Sequence, residues 1–309
     1  MRCRWPGLLT CLLGVGPAWG GNPPDTLQRQ IAALEARHGG RLGVAALDSG
    51  TGRRLEYRST EPFALCSTFK VILVAAILAR IDRHQESLDH SIAYSVEDLL
   101  DYAPVARANL SHGSMTVEAL CRAAMEYSDN TAANLLLKRL GGPGEVTAFA
   151  RSLGDSTTRL DRNEPELNSN VPKDLRDTTS PRAMVETLQK VVSGAALSPA
   201  SRERLQHWMR ACSTGTRRLR AGAPASWMAG DKTGTGARGA TNDIAVFWPP
   251  HRQPIFAVVY FTDSTAPIGL REEALAEVGK MIVHEFATDG GSHTKPTMNV
   301  EQRPSFFSR

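Results

Sequence analysis

Residues 64–78, "ALCSTFKVILVAAIL", put a serine and a lysine at the mouth of an otherwise apolar helix. Ser67 and Lys70 are three apart, so they share one helical face. At a helix start, free N–H groups and the positive end of the helix dipole surround the Ser67 hydroxyl and favour an alkoxide. A serine at its ordinary pKa does not supply that alkoxide unaided. Lys70 acts as a base only when neutral for part of the time. Lowering its pKa from about 10.4 to roughly 7–8 costs about 4 kcal/mol, to which burial, the dipole and a second cation contribute. The pair reads as nucleophile and proton acceptor. Ser-x-x-Lys is weak by itself, since Ser292 and Lys295 repeat the spacing in an aperiodic tail.

Two further stretches extend the reading. "YSDNTAANLLL" (127–137) sets Ser128, Asp129 and Asn130 just before a helix that stops at Gly141. Each of the three is a good N-cap, and spacing leaves open which one serves. "DKTGTGARG" (231–239) places Lys232, Thr233, Gly234 and Thr235 on a strand, where glycine permits close approach by a ligand or another backbone. The plain alternative is an edge strand with solvated charges.

The surrounding pattern gives the fold. A helix at 27–37 precedes two strands within 41–58, around a turn at 48–52. Helical patterns follow at 69–80, 117–127, 131–140, 143–153, 181–192 and 199–210. Strands return at 227–235, 241–250 and 254–262, and a helix spans 270–286. β elements thus stand at both chain ends with helices between them. The expected class is α/β (α+β): an antiparallel sheet built from both ends and flanked by helices, plus an all-helical lobe. The α/β lobe takes about 21–62 and 211–288, the helical lobe about 63–210, and the cleft between them is where a small molecule binds.

Ser-x-x-Lys, Ser-Asp-Asn and Lys-Thr-Gly, in this order, resemble the serine β-lactamase and penicillin-binding protein superfamily. The likeness covers nearly all of residues 25–288. "RNEPELNSNVPKDLRD" (162–177) is similar to the Ω-loop of class A β-lactamases, matching at Arg162, Glu164, Pro165, Leu167, Asn168 and Asp177. The resemblance implies an Arg162–Asp177 ion pair at the loop neck and a cis Glu164–Pro165 bond. It makes Glu164, not Glu166, the functional carboxylate. Asn163 departs from the family, which often has an aromatic there.

The resemblance also implies roles. Ser67 attacks the β-lactam carbonyl, and Glu164, through a water also held by Asn168, drives deacylation. Lys70 and Glu164 both remain open as the acylation base. Ser128 passes a proton to the ring nitrogen, with Lys232 holding it. Asn130 bonds the substrate side-chain amide. The N–H groups of Ser67 and Thr235 form an oxyanion hole, while Lys232, Thr233 and Thr235, beside Gly234, meet the substrate carboxylate. Within "STGTRRLRAG" (213–222), Arg218 is favoured over Arg217 and Arg220, and over Arg238, as the assisting arginine. Tyr102 lines the cleft entrance. Gly236 and Val74 stand where relatives place partner cysteines for Cys66 and Cys121, so free thiols are expected.

Composition limits the remaining classes. The chain has 309 residues, 36 basic and 32 acidic, for a net charge of +4. That even balance does not point to a nucleic-acid partner. Cysteines at 3, 11, 66, 121 and 212 leave an odd number once a leader is removed, so this is not a disulfide scaffold. The eight histidines show no metal-type spacing, and no metal or cofactor is expected. "MRCRWPGLLTCLLGVGPAWG" (1–20) has Arg2 and Arg4, an apolar run at 8–15 and small residues at Ala18 and Gly20. It reads as a secretory signal peptide, too short to span a bilayer, which implies a periplasmic or secreted protein with no membrane attachment after its removal; a monomer is the default expectation. A lipid anchor at Cys11 is the weaker option. Residues 289–309 read as a disordered tail. The competing functions are a D-alanyl-D-alanine peptidase, which would lack Glu164 and Asn168, and a non-catalytic penicillin sensor.

Overall fold

The computed structural model describes residues 26–287; the expected leader and tail fall outside the described residues. In chain order, α1 (Thr26–His38) leads into β1 (Arg41–Asp48), β2 (Arg54–Tyr57) and the two-residue β3 (Phe63–Ala64). A single 3₁₀ turn (Cys66–Thr68) enters α2 (Phe69–Asp82). Then come β4 (Ser91–Ala93), α3 (Pro104–Ala108), β5 (Ser114–Thr116), α4 (Val117–Glu126), α5 (Asn130–Leu140) and α6 (Pro143–Ser152). The last part holds β6 (Thr178–Thr179), α7 (Pro181–Val192), α8 (Pro199–Arg210), β7 (Met228–Thr235), β8 (Thr241–Trp248), β9 (Ile255–Thr262) and α9 (Ile268–Ala287).

The expected sheet from both chain ends is present. Its order is β2-β1-β9-β8-β7, antiparallel throughout, with Arg41 opposite Thr262 and Asp48 opposite Ile255. Period-two alternation sorts its side chains. Leu42, Val44, Ala46, Ala257, Val259 and Phe261 pack with α1 and α9. Ala45, Leu47, Ile244, Val246, Val258 and Tyr260 face the core that contains α2, α7 and α8. Covered on both faces, these strands read as continuous apolar runs, as a doubly buried sheet requires. α2 is buried from Phe69 to Ala79, which explains why its apolar residues show no preferred face. Each such Leu, Ile or Val contributes about 1.5–3 kcal/mol of burial.

Helix boundaries follow local chemistry. Thr116, Ser180 and Ser198 cap α4, α7 and α8 through their hydroxyls, and Pro stands at the first position of α7 and α8. Gly141, at φ 113°, ends α5. The short pairs were not legible in the sequence, yet one is decisive. β3 pairs with β6, Phe63 opposite Thr179, and Leu65 N–H donates to Asp177 O at 2.8 Å. That pairing brings the end of the 162–177 loop against the segment that carries Ser67.

Candidate active site

The nucleophile turn is fixed from the sheet side. Asn242 of β8 donates to Ala64 O at 2.9 Å and Leu65 O at 3.3 Å. Thr68 Oγ1 donates to Leu65 O at 2.7 Å and lies 3.0 Å from the Tyr260 hydroxyl. Gly234 on β7 packs so closely that a Cβ there would lie 3.0 Å from Leu65 O and 3.1 Å from Cys66 Cβ. Cys66 is held at φ 44°, a left-handed conformation that costs a β-carbon residue energy and is sustained by these contacts.

Ser67 Oγ donates to Glu164 Oε1 at 3.2 Å. The same oxygen lies 3.1 Å from Lys70 Nζ. The carboxylate therefore stands between the hydroxyl and the amine, with Lys70 and Glu164 side chains both at 0% exposure. Lys70 Nζ also donates to Ser128 O at 2.8 Å, Asn130 Oδ1 at 2.6 Å and Ser128 Oγ at 3.4 Å. Burial pushes its pKa down, and the neighbouring Glu164 partly restores it. Lys232 Nζ reaches Ser128 Oγ at 2.9 Å from the other side. Burial and the nearby Lys70 bring the Lys232 pKa down to about 8, against the pull of Cys212 and Asp231. Ser128 thus lies between two buried amines, at φ 59°.

Asp129 decides the cap left open by the sequence. Its Oδ1 accepts Ala132 N–H at 2.8 Å, capping α5, while Oδ2 accepts the N–H groups of Val105 and Ala106, both at 2.9 Å, capping α3. One buried carboxylate ties two helix starts together, and Ser128 and Asn130 flank it. Asn130 N–H donates to Tyr102 O at 3.0 Å. Tyr102 itself is 50% exposed at the cleft.

In the 162–177 loop, the Glu164–Pro165 bond is cis and Arg162 Nε donates to Asp177 Oδ2 at 2.6 Å. Asp177 Oδ1 also accepts N–H groups from Asp161 and Arg162 at 2.7 and 2.9 Å. Asn168 Nδ2 donates to Glu164 Oε2. Asn134, which the sequence reading missed, clamps Glu164 by its backbone: the amide oxygen accepts Glu164 N–H at 3.0 Å and the amide nitrogen donates to Glu164 O at 2.8 Å. The available signal was the four-residue interval from Asn130 to Asn134, which puts both on one face of α5. Glu166 is exposed.

The cleft has a volume of about 350 Å³, and Ser67, Ser128, Asn130, Asn168, Thr233 and Thr235 line it together with Tyr102, Thr214 and Arg218. Arg218, 5% exposed, donates to Gly234 O at 2.9 Å, Asn242 O at 2.8 Å and Thr235 Oγ1 at 2.8 Å, and to Glu272 Oε1 at 3.3 Å. Arg217 pairs with Glu272 from outside, Arg220 with Asp231, and Arg238 with Asp263. Thr214, also missed, bonds Thr233 through the two hydroxyls at 2.6 Å. β7 is an edge strand, but its charges are not solvated: Asp231 and Lys232 are both fully buried. Burial raises the Asp231 pKa, opposed by Arg220, and raises that of Asp243, with Asp231 adding to the effect. Cys66, Cys121 and Cys212 are buried free thiols, and burial pushes Cys66 up to about 12.

A serine hydroxyl within reach of a buried amine and a buried carboxylate, at the edge of an antiparallel sheet, defines a serine hydrolase of the acyl-enzyme type. Residues 26–286 match the model of the Beta-lactamase enzyme family. The β-lactamase Toho-1 of Escherichia coli is 45% identical over 262 residues, which is 85% of this chain and 90% of that protein. The β-lactamase CTX-M-8 of Citrobacter amalonaticus is 43% identical over 282 residues, 91% and 94% of the two chains. Among solved structures, an ancestral class A β-lactamase (GNCA) superposes with a TM-score of 0.83 at 57% identity, covering 84% of this chain and all of that one. The chain belongs to the β-lactamase enzyme family. No helix among the described residues is long and apolar enough to cross a membrane.

Proposed function

We propose that the chain hydrolyses penicillin- and cephalosporin-type β-lactams through an acyl-enzyme on Ser67, with Glu164 driving deacylation. The substrate carboxylate sits against Lys232, Thr233, Thr235 and Arg218, and the side-chain amide against Asn130. The Ser67 hydroxyl gives up its proton to Lys70 or Glu164 as Oγ bonds the ring carbonyl carbon. Backbone N–H groups of Ser67 and Thr235 hold the developing oxyanion, a donor of this kind being worth about 3 kcal/mol. The C–N ring bond breaks as Ser128 delivers a proton to nitrogen. Lys70 and Lys232, both within reach of the Ser128 hydroxyl, supply and stabilise that proton path. In the second half, a water aimed by Glu164 and Asn168 attacks the ester, and Ser67 leaves with a proton. No cofactor enters either step.

The observation that supports this reading most is the shared contact of Glu164 Oε1 with Ser67 Oγ and Lys70 Nζ, at 3.2 and 3.1 Å. Export with removal of residues 1–20, a catalytic unit of residues 21–288 and action as a monomer belong to the same reading. The test is Glu164→Ala with benzylpenicillin, followed by mass spectrometry of the intact protein. A stable adduct of one opened penicillin on Ser67, with turnover reduced by about a thousandfold or more, is expected. Turnover at the parental rate without adduct would remove Glu164 from the mechanism.

A further inference from the structure

β8 serves the site from both of its faces. The Asn242 side chain holds the nucleophile turn, and the Asn242 carbonyl accepts Arg218 Nη1 at 2.8 Å. Asp243, the next residue, points to the opposite face of the sheet and is fully buried. Its Oδ2 accepts Leu219 N–H at 3.0 Å, while Oδ1 has no hydrogen-bond partner among the described residues. Burial, reinforced by the nearby Asp231, pushes its pKa well up and favours the neutral carboxyl. The group lies outside the cleft lining and hydrogen-bonds none of the catalytic side chains.

The Leu219 N–H belongs to the peptide unit that follows Arg218. The carbonyl of that unit accepts Ala221 N–H at 2.9 Å, and Arg218 N–H donates to Gly215 O at 3.0 Å. Arg220 ties the far end of this turn to Asp231 of β7 at 2.9 and 2.7 Å. Asp243 ties the near end, beside Arg218, to β8. The Arg218 guanidinium directs four of its five N–H donors at Gly234 O, Asn242 O, Thr235 Oγ1 and Glu272 Oε1. An Nη2 hydrogen is left for the cleft, which Arg218 lines. A hydrogen bond weakens steeply as its angle bends, so a small displacement of the Arg218 main chain spoils that remaining donor.

The geometry points to Asp243 as a positioning residue for substrate binding: its carboxyl oxygen fixes the Arg218–Leu219 peptide on β8 and so aims the Arg218 guanidinium at the substrate carboxylate. This rests on the function proposed above, in which Arg218 meets that carboxylate. Adjacent residues of one strand thus set the nucleophile turn on one face and the anion-binding arginine on the other. What Asp243 supplies is an acceptor in a neutral form, so an amide of the same shape replaces it.

The test is a double-mutant cycle with benzylpenicillin. Asp243→Leu and Asp243→Ala both delete the acceptor, the first keeping the volume and the second avoiding any clash, and the variant that melts as a folded protein enters the cycle. Its KM is expected to rise about tenfold with kcat within about threefold, the signature of lost binding rather than lost chemistry. Arg218→Ala is expected to raise KM by at least as much. Combining the two should raise KM no more than about twofold beyond Arg218→Ala alone, because the acceptor acts through the arginine. Asp243→Asn keeps a carbonyl for Leu219 N–H and is expected to bring KM back to within about threefold of the parent. Full additivity in the double variant overturns the proposal, as does a fall of kcat with KM unchanged, or an Asp243→Asn variant as impaired as Asp243→Ala. An Arg218→Ala variant with the parental KM removes the arginine from carboxylate binding and this inference with it. If the parent protein does not turn over benzylpenicillin at all, the proposed function itself fails.

Discussion

Lys232 shows how much a single side chain depends on its surroundings. It has no exposed surface, and its ammonium donates to Ser128 Oγ and Thr233 O, both at 2.9 Å. With its pKa brought down to about 8, it discharges as the pH rises through that value. The neutral amine attracts a substrate carboxylate far less. kcat/KM for benzylpenicillin is therefore expected to fall on the alkaline side with a midpoint near the same pH, because this ratio reports the free enzyme. Arginine stays charged throughout, so the Lys232→Arg variant loses that limb whatever its absolute rate. A pH profile of the parent that stays flat to pH 10 would contradict the assignment. The identity of Lys232 as a strand residue was legible from "DKTGT". Its burial was not, because an edge strand is ordinarily solvated. The depressed pKa is a property of what packs around the strand.

At the scale of the element, Asp129 is more than a helix cap. Its carboxylate accepts three backbone N–H groups from two helices, so α3 and α5 are held in one relative position. Asp129→Ala is expected to reduce the unfolding free energy by about 3 kcal/mol, well above the usual single cap, as read by urea denaturation. A loss under about 1 kcal/mol would mean that water or neighbouring groups replace the carboxylate. Ser128 and Asn130 flank this residue, so the loss of stability should come with a loss of kcat/KM. The sequence narrowed the cap to three candidates and went no further, since α3 lies more than twenty residues upstream and only folding brings it there. Asn134 was missed for a similar reason. An asparagine in mid-helix has no distinguishing sequence context until the backbone of Glu164 arrives opposite it.

For the whole molecule, the site is a stability liability. A lysine whose folded pKa lies below its ordinary 10.5 is disfavoured in its charged form by folding. Between pH 8 and 10.5 the unfolded chain holds this proton more firmly than the folded one, so stability rises with pH across that window. Below it, the cost is present in full, about 3 kcal/mol from the size of the shift. Lys232→Met is therefore expected to be inactive and yet to melt about 6–12 °C higher at pH 7. The difference should shrink towards pH 10.5, measurable by scanning calorimetry at the two pH values. A variant that melts lower at pH 7 would show that the hydrogen bonds of Lys232 outweigh its desolvation. Activity and stability trade against each other in this manner wherever charges are kept buried for chemistry.

By itself the sequence determined the long helices and strands and their order, the sheet drawn from both chain ends, and the residue types that carry the chemistry. Those follow from local rules of period, capping and motif spacing, which act over a few residues. Only the tertiary structure decided which carboxylate oxygen meets both Ser67 and Lys70, which arginine of 217, 218 and 220 reaches the cleft, and which residue caps α5. The physical reason is distance along the chain. Ser67 and Glu164 are ninety-seven residues apart, and their contact depends on β3 pairing with β6, a ladder of two residues too short to leave a periodic trace.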